Sequence, residues 1–263
     1  MIGELVGKED LTLSSTTFRW EYPHNILEDN APLYHVKEIA EQTSLLKGFF
    51  PRLGYANEDL AQQPRPRASE GWFTVPQWHK IEKTYPKAFL AILEALVSQL
   101  GHRNLFDLDN FIRGRWGKPY LHEHSSKVDA FQKLRVQQNE DFLVFPAQFG
   151  LRHRKIDTLQ GRNIFLSNEV GLGAFEVGCM LLSHLERFTS DEEVFPSLTL
   201  GATCPGDEYT FSKPGWSQGD RSVCTPFYYF CEHINKLTIS VTGIDNDCDG
   251  HCGLVTMFLP TAH

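Results

Sequence analysis

Short apolar runs in the second half of the chain predict the strands of a sheet. The run at residues 142–145 lies between two acidic residues and Pro146, which is the pattern of a strand buried on both faces. A second apolar run at 163–166 follows a basic loop and also predicts a strand. Three further β-prone runs, joined most simply as an antiparallel meander, lie at 226–231, 237–241 and 254–259.

Apolar positions at helical spacing predict two clear helices. The first covers residues 174–188, where Glu176, either Ser183 or His184, and Arg187 form one narrow polar stripe, so this helix belongs in the core. The second begins at Pro86 and ends before Gly101. Shorter helices are predicted at 33–46, near residue 76, at 105–112 and at 125–135.

These patterns predict an α+β protein. A mainly helical N-terminal half, at about residues 33–138, is expected to pack on a mixed or largely antiparallel sheet formed by residues of about 141–260. Residues 1–263 are expected to form a single compact unit, with an N-terminal arm at 1–32. The segment at 62–69 combines prolines and arginines, which favours an exposed and extended connector.

Composition excludes some classes of protein. The formal net charge of −8 argues against a general nucleic-acid-binding protein, because such proteins present a basic surface. The apolar runs are too short for a membrane-spanning helix, which needs about 20 residues. We therefore expect a soluble, cytoplasmic protein whose partner is another protein or a small polar ligand. The 6 cysteines do not imply disulfides, and Cys179 has the apolar setting of a buried thiol.

An acidic loop near the C-terminal end has the start of a calcium-binding pattern. Asp245, Asp247 and Asp249 alternate before Gly250, and alternate carboxylates converge on a hard cation. Thr256 stands where an EF-hand loop needs a bidentate glutamate, and the flanking segments look like strands. The loop is therefore an acidic hairpin or a weak Ca²⁺ site.

The same loop has a second possible metal. Cys248, His251 and Cys252 are soft ligands that suit Zn²⁺, although their spacing is loose and a fourth ligand must come from elsewhere.

A larger set of polar residues lies at the predicted strand ends and at the entrance of the apolar helix. Glu169 and Asp207 are candidates for an acid and base pair assisted by Arg152 or His153. The same region can bind a phosphate or carboxylate, since arginine recognises both through paired hydrogen bonds. The ligand-binding candidates are Arg152, Arg154, Asn168, Glu176 and Glu208. A purely structural alternative uses these residues as helix caps and internal ion pairs.

Other local patterns give weaker indications of a functional site. His122 and His124 alternate in a segment that precedes a capping serine, which favours a solvated loop. Gly171 and Gly173 lack the spacing of a dinucleotide-binding or phosphate-binding loop. No Gly-x-Ser-x-Gly elbow, His-Glu-x-x-His helix or kinase set is present in the sequence.

Three runs of sequence resemble stretches shared by a set of uncharacterised predicted bacterial proteins. They cover residues 145–154, 168–178 and 206–209, and the resemblance extends from about Trp72 to Pro260. No activity is assigned to that set, so the resemblance implies kinship without a reaction.

Two functions remain open. A non-catalytic binding or assembly protein is favoured by the lack of a complete catalytic motif, by the proline and arginine segment, and by several aromatic residues that can face the surface. These aromatic residues are Trp72, Phe73, Trp78, Trp116 and Trp216. The alternative is a hydrolytic or metal-assisted enzyme, which a buried carboxylate of raised pKa would favour.

Overall fold

The fold is α+β, as the sequence predicts. The structure is a computed structural model that describes residues 35–66, 68–100, 120–154, 156–186, 201–211, 222–231, 236–246 and 252–260. Within these residues, six helices accompany one mixed sheet of nine strands. Of these helices, none is long and apolar enough to cross a membrane.

The helices are α1 (Ile39–Phe49), α2 (Trp78–Ile81), α3 (Tyr85–Leu100), α4 (Ser125–Gln137), α5 (Thr158–Ile164) and α6 (Ala174–Ser183), with a 3-10 turn at Glu58–Gln62. The strands are β1 (Gly71–Pro76), β2 (Tyr120–Glu123), β3 (Phe142–Arg154), β4 (Glu169–Gly171), β5 (Gly201–Thr203), β6 (Asp207–Phe211), β7 (Ser222–Cys231), β8 (Lys236–Gly243) and β9 (Cys252–Phe258).

The sheet has the strand order β1-β3-β9-β5-β7-β6-β2, with β4 beside β9 and β8 beside β7. All pairs are antiparallel except β5 with β9. Strand β3 pairs with one edge of β9. Strands β4 and β5 pair with different halves of the other edge of β9. The sheet therefore divides beside β9, and the turns that follow β4 and β5 meet at this division.

The strand predictions are partly confirmed. Strand β3 contains the run at 142–145 but continues through the basic residues to Arg154, which were predicted to form a loop. Gly150 makes this continuation possible, because its φ of +92° suits glycine and the register with β9 shifts beyond Phe149. The predicted strand at 163–166 is wrong: this stretch begins as the end of α5. The side chain of Asp157 accepts a hydrogen bond from the amide of Gln160 at 2.7 Å and so starts a helix.

The predicted meander is correct for two of its three strands. Strand β8 pairs along its whole length with residues 224–231 of β7, but β9 leaves them to join β3, β4 and β5 in the middle of the sheet. Strands β1 and β2 come from the half that was predicted to be mainly helical. The predicted helix at 105–112 lies outside the described residues.

The helix predictions that fall on described residues are confirmed with shifted ends. Helix α6 begins at Ala174 as predicted and ends at Ser183, five residues early. All ten of its residues are buried, including Cys179, because the sheet and helices α1 and α3 enclose it. Tyr228 of β7 donates a hydrogen bond to the first carbonyl of α6 at 2.8 Å, which ties the helix to the sheet.

Candidate functional site

Three turns meet where the sheet divides. They join β2 to α4, β4 to α6, and β5 to β6. The amide of His124 donates to the carbonyl of Gly206 at 2.8 Å, and the amide of Gly206 donates to the carbonyl of Leu172 at 2.9 Å. A Cβ atom on Gly206 would overlap backbone atoms of Gly171 and Leu172. The backbones therefore approach so closely that glycine is required at this position.

A buried lysine lies at the centre of these turns. The ammonium Nζ of Lys127 is 2.9 Å from Oδ1 of Asp207 and 3.0 Å from Oε2 of Glu176. It also donates to the hydroxyl of Tyr85 at 2.8 Å and lies 3.3 Å from Oε1 of Glu123. We call these five residues the Lys127 cluster. They come from α3, β2, α4, α6 and β6, so one side chain joins five elements.

The start of α6 supplies further donors to the cluster. The second oxygen of Asp207, Oδ2, accepts hydrogen bonds from the Tyr85 hydroxyl at 2.6 Å and from the amide of Ala174 at 2.7 Å. The carboxylate of Glu176 accepts from the amide of Gly173 at 3.1 Å, which is the half of a capping box that a glycine N-cap allows. The partial positive charge at a helix N-terminus favours both carboxylates.

Acidic groups outnumber basic groups in the Lys127 cluster. The side chains of Lys127 and Asp207 are 0% exposed and that of Glu176 is 2% exposed, whereas that of Glu123 is 16% exposed. Burial, helped by the charges of Asp207 and Glu123, raises the pKa of Glu176 to about 7 against the opposing effect of Lys127. Burial alone would lower the pKa of Lys127, but the three carboxylates outweigh it and raise this pKa above its usual value. The lysine therefore carries its charge inside the protein.

A second buried group lies beside β9. Nε2 of His153 is 2.8 Å from Oε1 of Glu169, and the hydroxyl of Thr256 donates to the same oxygen at 2.7 Å. The amide of Leu166 donates to the other carboxylate oxygen at 3.2 Å, and Gln148 donates to the Thr256 hydroxyl at 2.8 Å. This chain of contacts holds β3, β4 and β9 together.

A third group is nearer to the surface, on strands β2 and β6. Glu208 accepts a hydrogen bond from Arg162 at 2.7 Å and lies 3.2 Å from Nε2 of His122. Burial raises the pKa of Glu208, but its bond to Arg162 and the nearby charges outweigh this and lower it. His122 itself lies in strand β2, and not in the solvated loop that the sequence predicts. His124 caps α4, because its Nδ1 accepts from the amide of Ser126 at 3.3 Å.

The predicted site residues are divided among these groups. Glu169 and His153 meet in the second group, Asp207 and Glu176 meet in the Lys127 cluster, and Glu208 belongs to the third. Among the hydrogen bonds and ion pairs of the described residues, none joins the predicted catalytic pair.

The other ligand-binding candidates lie in or beside strands. Arg152 and Arg154 are part of β3. Asn168 donates from its side chain to the carbonyl of Leu259 at 3.1 Å, and its own carbonyl accepts from the Leu259 amide at 2.8 Å. Asn168 thus fixes the end of β4 against the residue that follows β9.

The predicted metal loop is described only at its start and end. Asp245 is exposed in the turn after β8, and Cys252 is buried in β9. Asp247, Cys248, Asp249 and His251 lie outside the described residues. Within the described parts of the chain, no group of three or more histidine, cysteine or acidic side chains is placed to hold a metal ion.

The sequence prediction missed the residue at the centre of the site. Lys127 lies four positions before Phe131 and seven before Leu134, which is the spacing of the buried face of α4. A charged residue on an apolar stripe therefore indicates a buried ion pair. Tyr85 was also missed, and its position just before Pro86 gives no comparable signal.

We compared the chain with protein-family models, with curated proteins and with solved structures, and none of the three comparisons gave a match.

Proposed function

We propose that the protein is a non-catalytic binding or assembly protein that presents residues 62–66, the proline segment, to another protein. The observation that supports this proposal is the exposure of the segment together with its extended backbone at Gln63, where the chain leaves the 3-10 turn. Residues 62–65 are exposed, and Gln63 has φ −74° and ψ 152°. These angles are those of a polyproline II helix, for which φ is about −75° and ψ about +145°.

The conformation of the proline segment is supported by its composition. The rings of Pro64 and Pro66 hold φ near about −65°, and a proline restricts the residue before it to extended backbone. The same restriction therefore applies to Gln63 and Arg65.

The segment is also held at both ends. The amide of Gln63 donates to the carbonyl of Leu60 at 3.2 Å. Arg65 donates to the carbonyls of Ser69 and Glu70, and the Ser69 hydroxyl donates to the carbonyl of Pro66 at 2.7 Å. Because the segment is ordered before it binds, less conformational entropy is lost on association.

Polyproline II segments are recognised by grooves lined with aromatic side chains. Such a groove packs against the proline rings and forms hydrogen bonds with carbonyls of the segment. We therefore expect the partner to be a protein with an aromatic groove. Of the aromatic residues that the sequence suggests for a binding surface, Phe73 is 0% exposed and Trp72 and Trp78 are half-buried, while Trp116 and Trp216 lie outside the described residues.

The test is capture of partners from a lysate of the source cells on the immobilised full chain. The Pro64→Ala/Pro66→Ala variant should lose the captured protein, because alanine leaves the backbone free and removes the rings. A Gln132→Ala/Lys133→Ala variant, changed at exposed positions of α4, should retain it. A synthetic peptide of residues 60–70 should compete with the wild-type chain. Capture that is unaffected by the proline changes and by the peptide would contradict the proposal.

The enzyme alternative is favoured by one observation, the pKa of about 7 for buried Glu176. A group that titrates near neutral pH can act as a general acid or base. Against this, the polar atoms around Glu176 already bind one another, and its side chain is only 2% exposed. Turnover of ester, peptide or phosphoester substrates by the wild type, lost in Glu176→Gln and in Glu169→Gln, would favour the enzyme.

A further inference from the structure

In the Lys127 cluster, an amine and a carboxyl group lie close enough to react with each other. Nζ of Lys127 lies 2.9 Å from Oδ1 of Asp207, and these residues are 80 positions apart in the chain. We propose that Lys127 and Asp207 condense within the folded protein to form an intramolecular amide bond between their side chains. This inference does not depend on the proline segment and assigns a self-modification to the interior of the protein.

The two oxygens of Asp207 have different surroundings, as the reaction requires. Oδ2 accepts hydrogen bonds from the Tyr85 hydroxyl at 2.6 Å and from the Ala174 amide at 2.7 Å. Negative charge develops on this oxygen when an amine adds to the carboxyl carbon, and fixed donors stabilise that charge. Oδ1 faces the amine and is the oxygen that leaves.

Glu176 is placed to move the protons. Its Oε2 lies 3.0 Å from Nζ of Lys127 and is held by the Gly173 amide. An ammonium group cannot attack, so it must first transfer a proton to a base. The surrounding carboxylates keep Lys127 protonated, so the neutral amine is a minor species that must form transiently before it attacks; burial reduces the cost of forming it, because burial disfavours both charges of the ion pair. The same burial raises the pKa of Glu176 to about 7, which makes it a better proton acceptor than an ordinary glutamate.

The atoms balance without any co-reactant. The ammonium of Lys127 gives one proton to Glu176, and the neutral amine forms a bond to Cγ of Asp207. A second proton passes from the nitrogen to Oδ1, and Glu176 returns its proton to the same oxygen. The bond between Cγ and Oδ1 then breaks and one water leaves. The products are an amide and the original carboxylate of Glu176.

The fold supplies the conditions that favour condensation. The reacting groups are held side by side by five elements, which replaces a bimolecular encounter with an internal one. The side chains of Lys127 and Asp207 are fully buried, so bulk water has no access to hydrolyse the product. The reaction also replaces two buried charges with a neutral amide, which removes their desolvation cost.

The first measurement is the intact mass of the purified full chain after denaturation. We expect a mass lower than that of the sequence by one water. Tryptic digestion should then yield a branched peptide that contains both Lys127 and Asp207, without cleavage after Lys127. A cyclic imide at an aspartate gives the same mass loss but no branched peptide, and that result would overturn the proposal.

Variants test the assigned roles. Glu176→Gln keeps a hydrogen-bonding side chain but cannot accept the proton, so the folded variant should keep its full mass. Asp207→Asn should still form the amide, with loss of one ammonia instead of one water. If Lys127 and Asp207 form only an ion pair, neither variant should lose mass. Asp207→Asn is therefore the variant that separates the two possibilities. The wild-type mass is decisive even where a variant fails to fold: a full mass after long incubation of the folded protein would overturn the proposal.

Discussion

The outer edge of β1, opposite β3, is covered by the side chain of Gln42 from α1. Its Nε2 donates to the carbonyls of Trp72 at 2.8 Å and Lys37 at 2.7 Å, and its Oε1 accepts from the amide of Thr74 at 3.0 Å. Gln42 is 0% exposed and Thr74 is also fully buried, so the Thr74 amide has no access to water, whereas Lys37 and Trp72 are half-buried. We predict that Gln42→Met destabilises the fold strongly, although methionine has nearly the same volume.

The magnitude follows from the three hydrogen bonds. Each contributes roughly 0.5–1.5 kcal/mol net, and a buried donor or acceptor left without a partner costs about 1–3 kcal/mol. Methionine fills the space, so no cavity term is added. We therefore expect the free energy of unfolding to fall by about 2–4 kcal/mol.

Urea denaturation followed by circular dichroism measures this loss. The matched control is Gln132→Met, at an exposed position of α4, where the same exchange should change the free energy of unfolding by less than about 0.5 kcal/mol. Methionine and glutamine have similar helix propensities, so propensity does not separate the two variants. A loss below about 1 kcal/mol for Gln42→Met would refute the reasoning, because the buried backbone groups would then have found other partners.

Three further predictions concern the core around α6. Burial lowers the pKa of His184 from 6.5 to about 4, so the unfolded chain binds a proton that the folded chain does not, and stability should fall as pH drops from 6.5 towards 4; melting curves of His184→Gln should lack this part of the pH dependence. Tyr228→Phe removes a buried hydrogen bond to α6 and should lower the free energy of unfolding by about 1–2 kcal/mol, whereas Tyr55→Phe, at a residue 73% exposed, should have almost no effect in the same urea titration. Gly178→Ala places a Cβ atom 2.5 Å from a methyl group of α3 and should destabilise the core by about 1–3 kcal/mol. Gly48→Ala in α1 meets nothing within 4 Å and should instead raise the melting temperature; equal shifts for the two glycine variants would contradict the packing argument.

Local sequence was sufficient for the elements whose burial repeats with a regular period. Helix α3 shows its apolar stripe between Tyr85 and Leu100, and β3 shows a continuous apolar run at its start. These patterns report which face of an element avoids water, and a helix or strand can be read from the period alone. The sequence pattern predicted a strand where α5 ends. The apolar run at 164–166 is too short to define a period, and most of this run lies after the end of the helix.

The candidate site depended on tertiary structure. Glu169 and Asp207 were both expected to be functional, and both are buried among polar partners. Their partners were not foreseen, because the sequence places Lys127 80 positions from Asp207 and 49 from Glu176. The period of a helix or strand indicates that a residue faces inward, but it does not indicate which other element that residue will contact.

The amino-acid sequence by itself therefore determined the α+β class, the buried character of α6 and four of the nine strands (β3, β7, β8 and β9), because these follow from local hydrophobic pattern. Tertiary structure alone decided that β9 lies between β3 and β5 and that three turns meet around Lys127. The physical reason is that a buried lysine is tolerated only where carboxylates from other elements surround it. Glu123, Glu176 and Asp207 come together only after the sheet has formed.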